Sequence, residues 1–155
     1  MDIYLVINGQ EQYLSIEVGE TLLEMLRRTG YVGVKHGCED GSCGVCTVLL
    51  DGQAVHSCVV LAAQAGGHSI TTIEGIGSRD HPHPLQAAFV ESGGIQCGYC
   101  TPAMILSAKA LLDENPHPSE SEVREALDSV LCRCTGYVKP VEAIIQVAGL
   151  PAGGA

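Results

Sequence analysis

Basic residues are scarce in this chain. Eight Lys and Arg stand against eighteen Asp and Glu, a formal net charge of −10 over 155 residues, so no basic stripe exists to neutralise phosphates and nucleic acid is excluded as a partner. The acidic surplus serves solubility. No apolar run reaches the roughly 20 residues that a membrane-spanning helix needs, and Met1 leads into strand-like sequence without the basic and apolar regions of an export signal. The expectation is no membrane span and a cytoplasmic location with reduced thiols, periplasmic only if a partner with its own signal carries the folded chain across. Hydrophobic residues at 46% against 17% charged exclude disorder. The two halves share no sequence repeat, and no cysteine is left over. The eight fall into two groups of four: Cys38, Cys43, Cys46 and Cys58, then Cys97, Cys100, Cys132 and Cys134.

The first group lies in KHGCEDGSCGVCTVLLDGQAVHSC, from Lys35 to Cys58. Its C-x4-C-x2-C spacing with a distant fourth cysteine is that of plant-type [2Fe-2S] sites, which need four soft thiolates, two per iron, and backbone amides aimed at the sulfurs. Gly37, Gly41 and Gly44 are expected to adopt positive φ and wrap the chain closely around such a core. Structural zinc favours paired short knuckles rather than three cysteines crowded in one loop, and disulfides need an exporting context. The spacing predicts a cluster.

Along the chain, Ile3, Leu5 and Ile7 alternate with polar-facing positions, Asn8-Gly9 marks a hairpin, and Leu14, Ile16 and Val18 continue the alternation. Thr21 and Glu24 have capping-box spacing ahead of Leu22, Leu23 and Leu26, with Gly30 as the stop. Asp51-Gly52 joins strands 47–50 and 53–56, and residues 69–73 supply a further strand. Strands crossed by one helix predict a small α+β domain over residues 1–74. Gly75 to Pro84 has breakers and no apolar period, which predicts a linker over 75–84. Four helices follow over 85–149: one from Leu85 to Gly93-Gly94, one from Thr101-Pro102 to about Leu112 that is apolar on most sides, one capped by Ser119 and Glu122, and one starting near Pro140. Residues 150–155 are expected to form a tail.

The second group sits in IQCGYCTP and LCRCTGY. A C-x2-C pair before a helix and a C-x-C pair between helices can supply two ligands to each of two irons, with the helix N-terminus at Thr101-Pro102 opposing the cluster charge. Arg133 can act likewise. Two short cysteine pairs also describe a four-cysteine zinc site, so spacing leaves both readings open. His36 and His56 flank first-set cysteines, but four thiols are already present, so they are read as loop or supporting residues rather than Rieske ligands. His68, His81, His83 and His117, beside Gly or Pro, are expected to be solvent-exposed. Ser57, Asp51 and Glu39 form no hydrolytic set.

Taken together, KHGCEDGSCGVCTVLLDG, TTIEG, QCGYCTPAMILSAKALL and LCRCTGYVKPVEAI, in this order, resemble the iron–sulfur subunit of the molybdenum hydroxylase, or xanthine oxidase, family over nearly the whole chain. The resemblance implies an N-terminal plant-ferredoxin-like β-grasp domain followed by a C-terminal four-helix bundle, each with one [2Fe-2S] cluster. The outer cluster would lie on Cys38, Cys43, Cys46 and Cys58, the inner one on Cys97, Cys100, Cys132 and Cys134. It implies no substrate site on this chain, but a large partner subunit whose molybdopterin cofactor is contacted by Gln96 and Cys134, and FAD on a medium partner subunit. The chain would be the electron-transfer component of a heteromeric oxidoreductase. Two departures from the family pattern are Ala103, where Gly is common, and Asp128-Ser129-Val130, where Ser-Gly-Asn is common. The alternatives are a free-standing two-cluster ferredoxin and a zinc-stabilised interaction module.

Overall fold

The computed structural model describes residues 1–149. The expected tail at 150–155 lies outside them. Strands β1 (Asp2–Ile7) and β2 (Gln10–Ser15) form the first hairpin, and β3 (Thr47–Leu50) and β4 (Gln53–His56) the second. With β5 (Ser69–Thr71) they make one five-stranded sheet of order β2-β1-β5-β3-β4. Only the central β1–β5 pairing is parallel.

Both hairpin turns have two successive residues at positive φ, Asn8 (52°) with Gly9 (77°) and Asp51 (48°) with Gly52 (85°), which matches the right-handed twist of their strands. Their side chains also reach sideways. Asn8 donates to Thr72 Oγ1 at 3.0 Å and accepts from the Thr72 amide at 2.8 Å, while Asp51 accepts from the Ser69 amide at 2.8 Å and contacts His68 Nδ1 at 2.6 Å. The two turns therefore clamp both flanks of β5, a strand of three residues that could not hold its register alone.

Helix α1 (Leu22–Arg28) opens with the expected capping box: the Glu24 amide donates to Thr21 Oγ1, and the Thr21 amide to Glu24 Oε2. It lays Leu22, Leu23, Met25 and Leu26 against the inner face of the sheet, where Leu5, Ile7, Val48 and Ile70 are buried. Two expectations shift here. β2 ends at Ser15, so Val18 lies beyond it and is 99% exposed. β5 stops at Thr71 because the chain tightens into a 3-10 turn at Ile73–Gly75.

The second half contains helices α2 (Pro84–Glu91), α3 (Thr101–Glu114), α4 (Glu120–Asp128) and α5 (Val138–Val147). Their common core holds Leu85, Phe89, Met104, Val123, Leu127 and Ile144. Phe89, the chain's single phenylalanine, is fully buried there, a burial that contributes roughly 1.5–3 kcal/mol. Helix α3 is apolar on most sides because it packs against α2 and α4 as well as β3 and β4, burying every residue from Ala103 to Ala108. Ala103 and Val130, two of the departures from the family pattern, are both fully buried. Residues 75–84 are less independent than a linker should be: Ile76 packs on the helical core.

His83 corrects one expectation, since it is only partly exposed. Its Nδ1 accepts from the Leu85 amide at 3.2 Å and caps α2, while Gln86 accepts from its own amide at 2.8 Å. Burial, then the Lys109 charge, lowers its pKa, and Asp113 opposes them. Only the neutral ring can accept that bond. The cap therefore contributes fully above the ordinary histidine value near 6.5 and is lost as pH falls through the lowered folded value. His83→Asn keeps a capping acceptor without the titration. The urea midpoint of wild type should fall relative to this variant between about pH 7 and about pH 5, and a constant difference across that range would remove His83 as the cause.

Candidate functional site

The loop from Lys35 to Cys46 carries three cysteines between α1 and β3, and Cys58 enters from the 3-10 turn Ser57–Val59 that follows β4. Small hydrogen bonds fix this frame. Ser57 Oγ donates to the Cys46 carbonyl at 2.7 Å, Thr47 Oγ1 to the Gly44 carbonyl at 2.6 Å, and the Asp40 carboxylate accepts from both the amide and hydroxyl of Ser42. His56 Nδ1 donates to the Gly41 carbonyl at 3.2 Å and His36 faces Glu39 at 3.3 Å, so both histidines belong to the supporting frame.

Glycines shape the loop for two different reasons. Gly41 (φ 79°) and Gly44 (φ 67°) occupy the left-handed region. Gly37 does not. A Cβ there would lie 2.6 Å from Val45 Cγ2 and 3.1 Å from Cys43 Sγ, so Gly37 is required for space rather than for backbone angle. At Gly44 both reasons apply, because a Cβ would run into the Ser129 carbonyl of the second half.

The four thiols are arranged as a ring of neighbours. Cys43 acts on the ionisation of Cys38, Cys38 and Cys46 on that of Cys43, and Cys46 and Cys38 on that of Cys58. The second set repeats this pattern, with Cys97 paired to Cys134 and Cys100 to Cys132. Two pairs facing each other can serve two irons bridged by sulfide.

The thiols differ in their readiness to ionise. Burial pushes Cys58 and Cys100 up to about 12, with the neighbouring Cys46 and Cys132 thiols adding to it. Cys43 is raised mainly by burial, and Cys134 by its bond to Cys97. Cys38 is lowered by the Cys43 amide and thiol. Burial also works against Cys132, yet bonds from the Thr135 side chain and backbone, the Cys134 amide and Cys100 hold it low. Thr135 Oγ1 accepts from the Tyr137 amide at 3.1 Å, which leaves its own proton for Cys132 Sγ at 3.1 Å.

Cys100 is the N-cap residue of α3 and Cys97 lies one turn before it, so the positive end of α3 faces the second set. Across the ring, Tyr137 (φ 67°) sends its hydroxyl back over the C-x-C turn, accepting from the Cys132 amide at 2.9 Å and donating to the Val130 carbonyl at 3.0 Å. Gln96, Cys97, Arg133 and Cys134 are all exposed, and Ile95, Leu131 and Val138 stand exposed around them. The first set instead opens beside Cys38 and Cys58 into a groove bounded by Glu39, Asp40 and Val59.

Two hydrogen bonds cross between the sets: Leu131 N–H to the Cys43 carbonyl at 2.9 Å, and Tyr99 O–H to the His36 carbonyl at 2.6 Å. Cys43 and Val45 belong to the hydrophobic cluster of the helical half. Thr135, Tyr137 and Tyr99 had no role in the reading of the sequence. The signal was present in GYC and CTGY, but a tyrosine's hydroxyl partner is a matter of tertiary position.

Two family descriptions match the chain: a 2Fe-2S iron–sulfur cluster binding domain over residues 5–69, and a [2Fe-2S] binding domain over residues 72–145. The nicotinate dehydrogenase small FeS subunit of Eubacterium barkeri is 46% identical over 147 residues, covering 94% of this chain and 93% of the relative. The nicotine 6-hydroxylase small subunit of Paenarthrobacter nicotinovorans is 45% identical over 150 residues, covering 96% and 90%. Among solved structures, a chain of quinoline 2-oxidoreductase from Pseudomonas putida 86 superposes with a TM-score of 0.91 at 44% identity, covering 96% of this chain and 92% of that one. Aldehyde oxidoreductase from Desulfovibrio gigas gives 0.92 at 45% identity, and there the match spans 17% of the longer chain.

Gly37→Ala isolates the space requirement, since alanine tolerates the backbone angle. It should lower bound iron to about half by emptying the first set while the second remains loaded. Iron analysis with visible circular dichroism measures this, and full iron content would show that the close approach to Cys43 is not needed.

Proposed function

Because this chain belongs to the family of small iron–sulfur subunits of the molybdenum hydroxylases, we propose that its two thiol rings are the two stations of an electron relay. Cys38, Cys43, Cys46 and Cys58 hold the outer [2Fe-2S] cluster, and Cys97, Cys100, Cys132 and Cys134 the inner one. When bound, such clusters pass single electrons, here from a molybdenum-pterin site on a large partner subunit towards FAD on a medium subunit or another acceptor. The same reading divides the chain into a β-grasp domain at 1–74, a connector at 75–84 and a four-helix bundle at 85–149.

The observation that carries this proposal is the pair of four-cysteine sets whose chain segments are joined by two direct hydrogen bonds, Leu131 N–H to the Cys43 carbonyl and Tyr99 O–H to the His36 carbonyl. Each residue type has a task. Glycines admit the core, amides and the α3 N-terminus offset its negative charge, and the Thr135 hydroxyl supports Cys132. The exposed edge of the inner ring supports a contact with the partner's pterin through Gln96 and Cys134. Ile95, Leu131 and Val138 around it are the kind of apolar rim that a large subunit would cover, and a free-standing ferredoxin would gain nothing from exposing them to water. A cytoplasmic location accords with eight free cysteines.

Iron and acid-labile sulfide analysis with EPR of the dithionite-reduced chain tests the relay. About four irons, about four sulfides and two distinct spin signals are expected, with a molybdenum-containing partner co-purifying from the native host. Zinc without labile sulfide would establish the interaction-module reading instead. Cys134→Ser should remove the inner signal and leave the outer one. Loss of both would show that the two sites cannot form separately.

A further inference from the structure

Tyr99 stands between two cysteines of the second set, yet its hydroxyl is spent on the first. It donates to the His36 carbonyl at 2.6 Å, two residues before Cys38, and its ring carbon Cε1 comes within 3.8 Å of where a Cβ on Gly37 would stand. Cys43 Sγ lies 3.1 Å from that same point. The peptide between His36 and Gly37 is therefore held by Tyr99 at a place where the chain abuts a thiol of the outer ring. Among the described residues no backbone–backbone hydrogen bond involves residues 35–40. That stretch is also exposed at His36, Gly37, Glu39 and Asp40. With no backbone ties of its own, the segment depends on side-chain contacts, and Tyr99 brings one to it from the inner motif.

We propose that Tyr99, although it belongs to the inner cysteine motif, is a positioning residue for the outer cluster: its hydroxyl and ring fix the His36–Gly37 peptide against Cys43 and so set the outer cluster's reduction potential. Hydrogen bonding and the placement of backbone around the sulfurs are levers that tune such potentials, and Tyr99 holds the peptide that abuts Cys43. The consequence is directional. A disturbance at the inner motif reaches the outer cluster through a side chain, without any change in the outer motif's own sequence. This inference rests on the proposed function, because it takes the first cysteine set to hold a cluster.

The test is Tyr99→Phe, which keeps the ring and removes the hydroxyl, made in the full chain purified with its clusters and partners. The readout is the pair of midpoint potentials of the two spin signals, by EPR-monitored titration. The outer midpoint should move while the inner one stays. Tyr99→Leu, which also removes the ring beside Gly37, should move the outer midpoint further in the same direction. Both midpoints unmoved would overturn the inference, as would an inner midpoint that moves while the outer one stays. A wild-type chain with one spin signal would instead overturn the two-cluster reading, so the two failures are distinguishable.

Discussion

The seam where Cys43 and Gly44 meet Ser129 and Leu131 is the constraint on which the rest of the molecule depends. The Leu131 amide donates to the Cys43 carbonyl, and the Gly44 backbone approaches the Ser129 carbonyl so closely that no side chain fits between them. Cys43 and Leu131 sit at, or next to, members of the two thiol rings, so one contact fixes the relative placement of both. Each half has its own hydrophobic core, but Val45 and Cys43 are shared into the helical one. The halves are fused at the chemistry rather than merely linked through residues 75–84. For a relay this matters, because transfer between two stations depends on a separation that loose domains would let vary.

Holding thiols in such a place has a cost. Burial raises Cys43, Cys58 and Cys100 and disfavours the charged form that binds metal. The fold offsets this with local donors: amides at Cys38, the Thr135 hydroxyl at Cys132, and the open end of α3, whose N-cap is Cys100. None of these donors comes from a lysine or arginine paired to a thiol. In a chain with so few basic residues, neutral dipoles carry the work of stabilising anionic sites, and they do so without burying a counter-charge. Metal binding then supplies the remainder of the free energy and couples loading to order in the loops.

Two faces emerge with different chemistry. Around the inner ring, exposed Ile95, Leu131 and Val138 accompany Gln96 and Cys134. Around the outer ring, Cys38 and Cys58 border a groove with Glu39 and Asp40. An apolar rim suits a lasting subunit contact, and a charged one suits steered or exchangeable docking. The division accords with a component that is bound at one end and delivers at the other.

The sequence by itself determined most of the local structure. Asn8-Gly9 and Asp51-Gly52 can only be tight turns between strands, the Thr21/Glu24 and Ser119/Glu122 pairs announce helix starts, and cysteine spacing announces two four-thiol sites. These are short-range matters, settled by backbone angles and by residues within a few positions of one another. Tertiary structure decided the rest. It made His83 a helix cap rather than a surface histidine, left Val18 in water, and showed that Gly37 is needed for room rather than for a positive φ. It also decided which thiols face each other and gave Tyr99, Thr135 and Tyr137 their partners. Spacing counts ligands, but it does not say which side chain from a distant element will lie across them. That depends on how β3 and α3 pack, and such packing is the sum of many weak contacts between residues far apart in the chain.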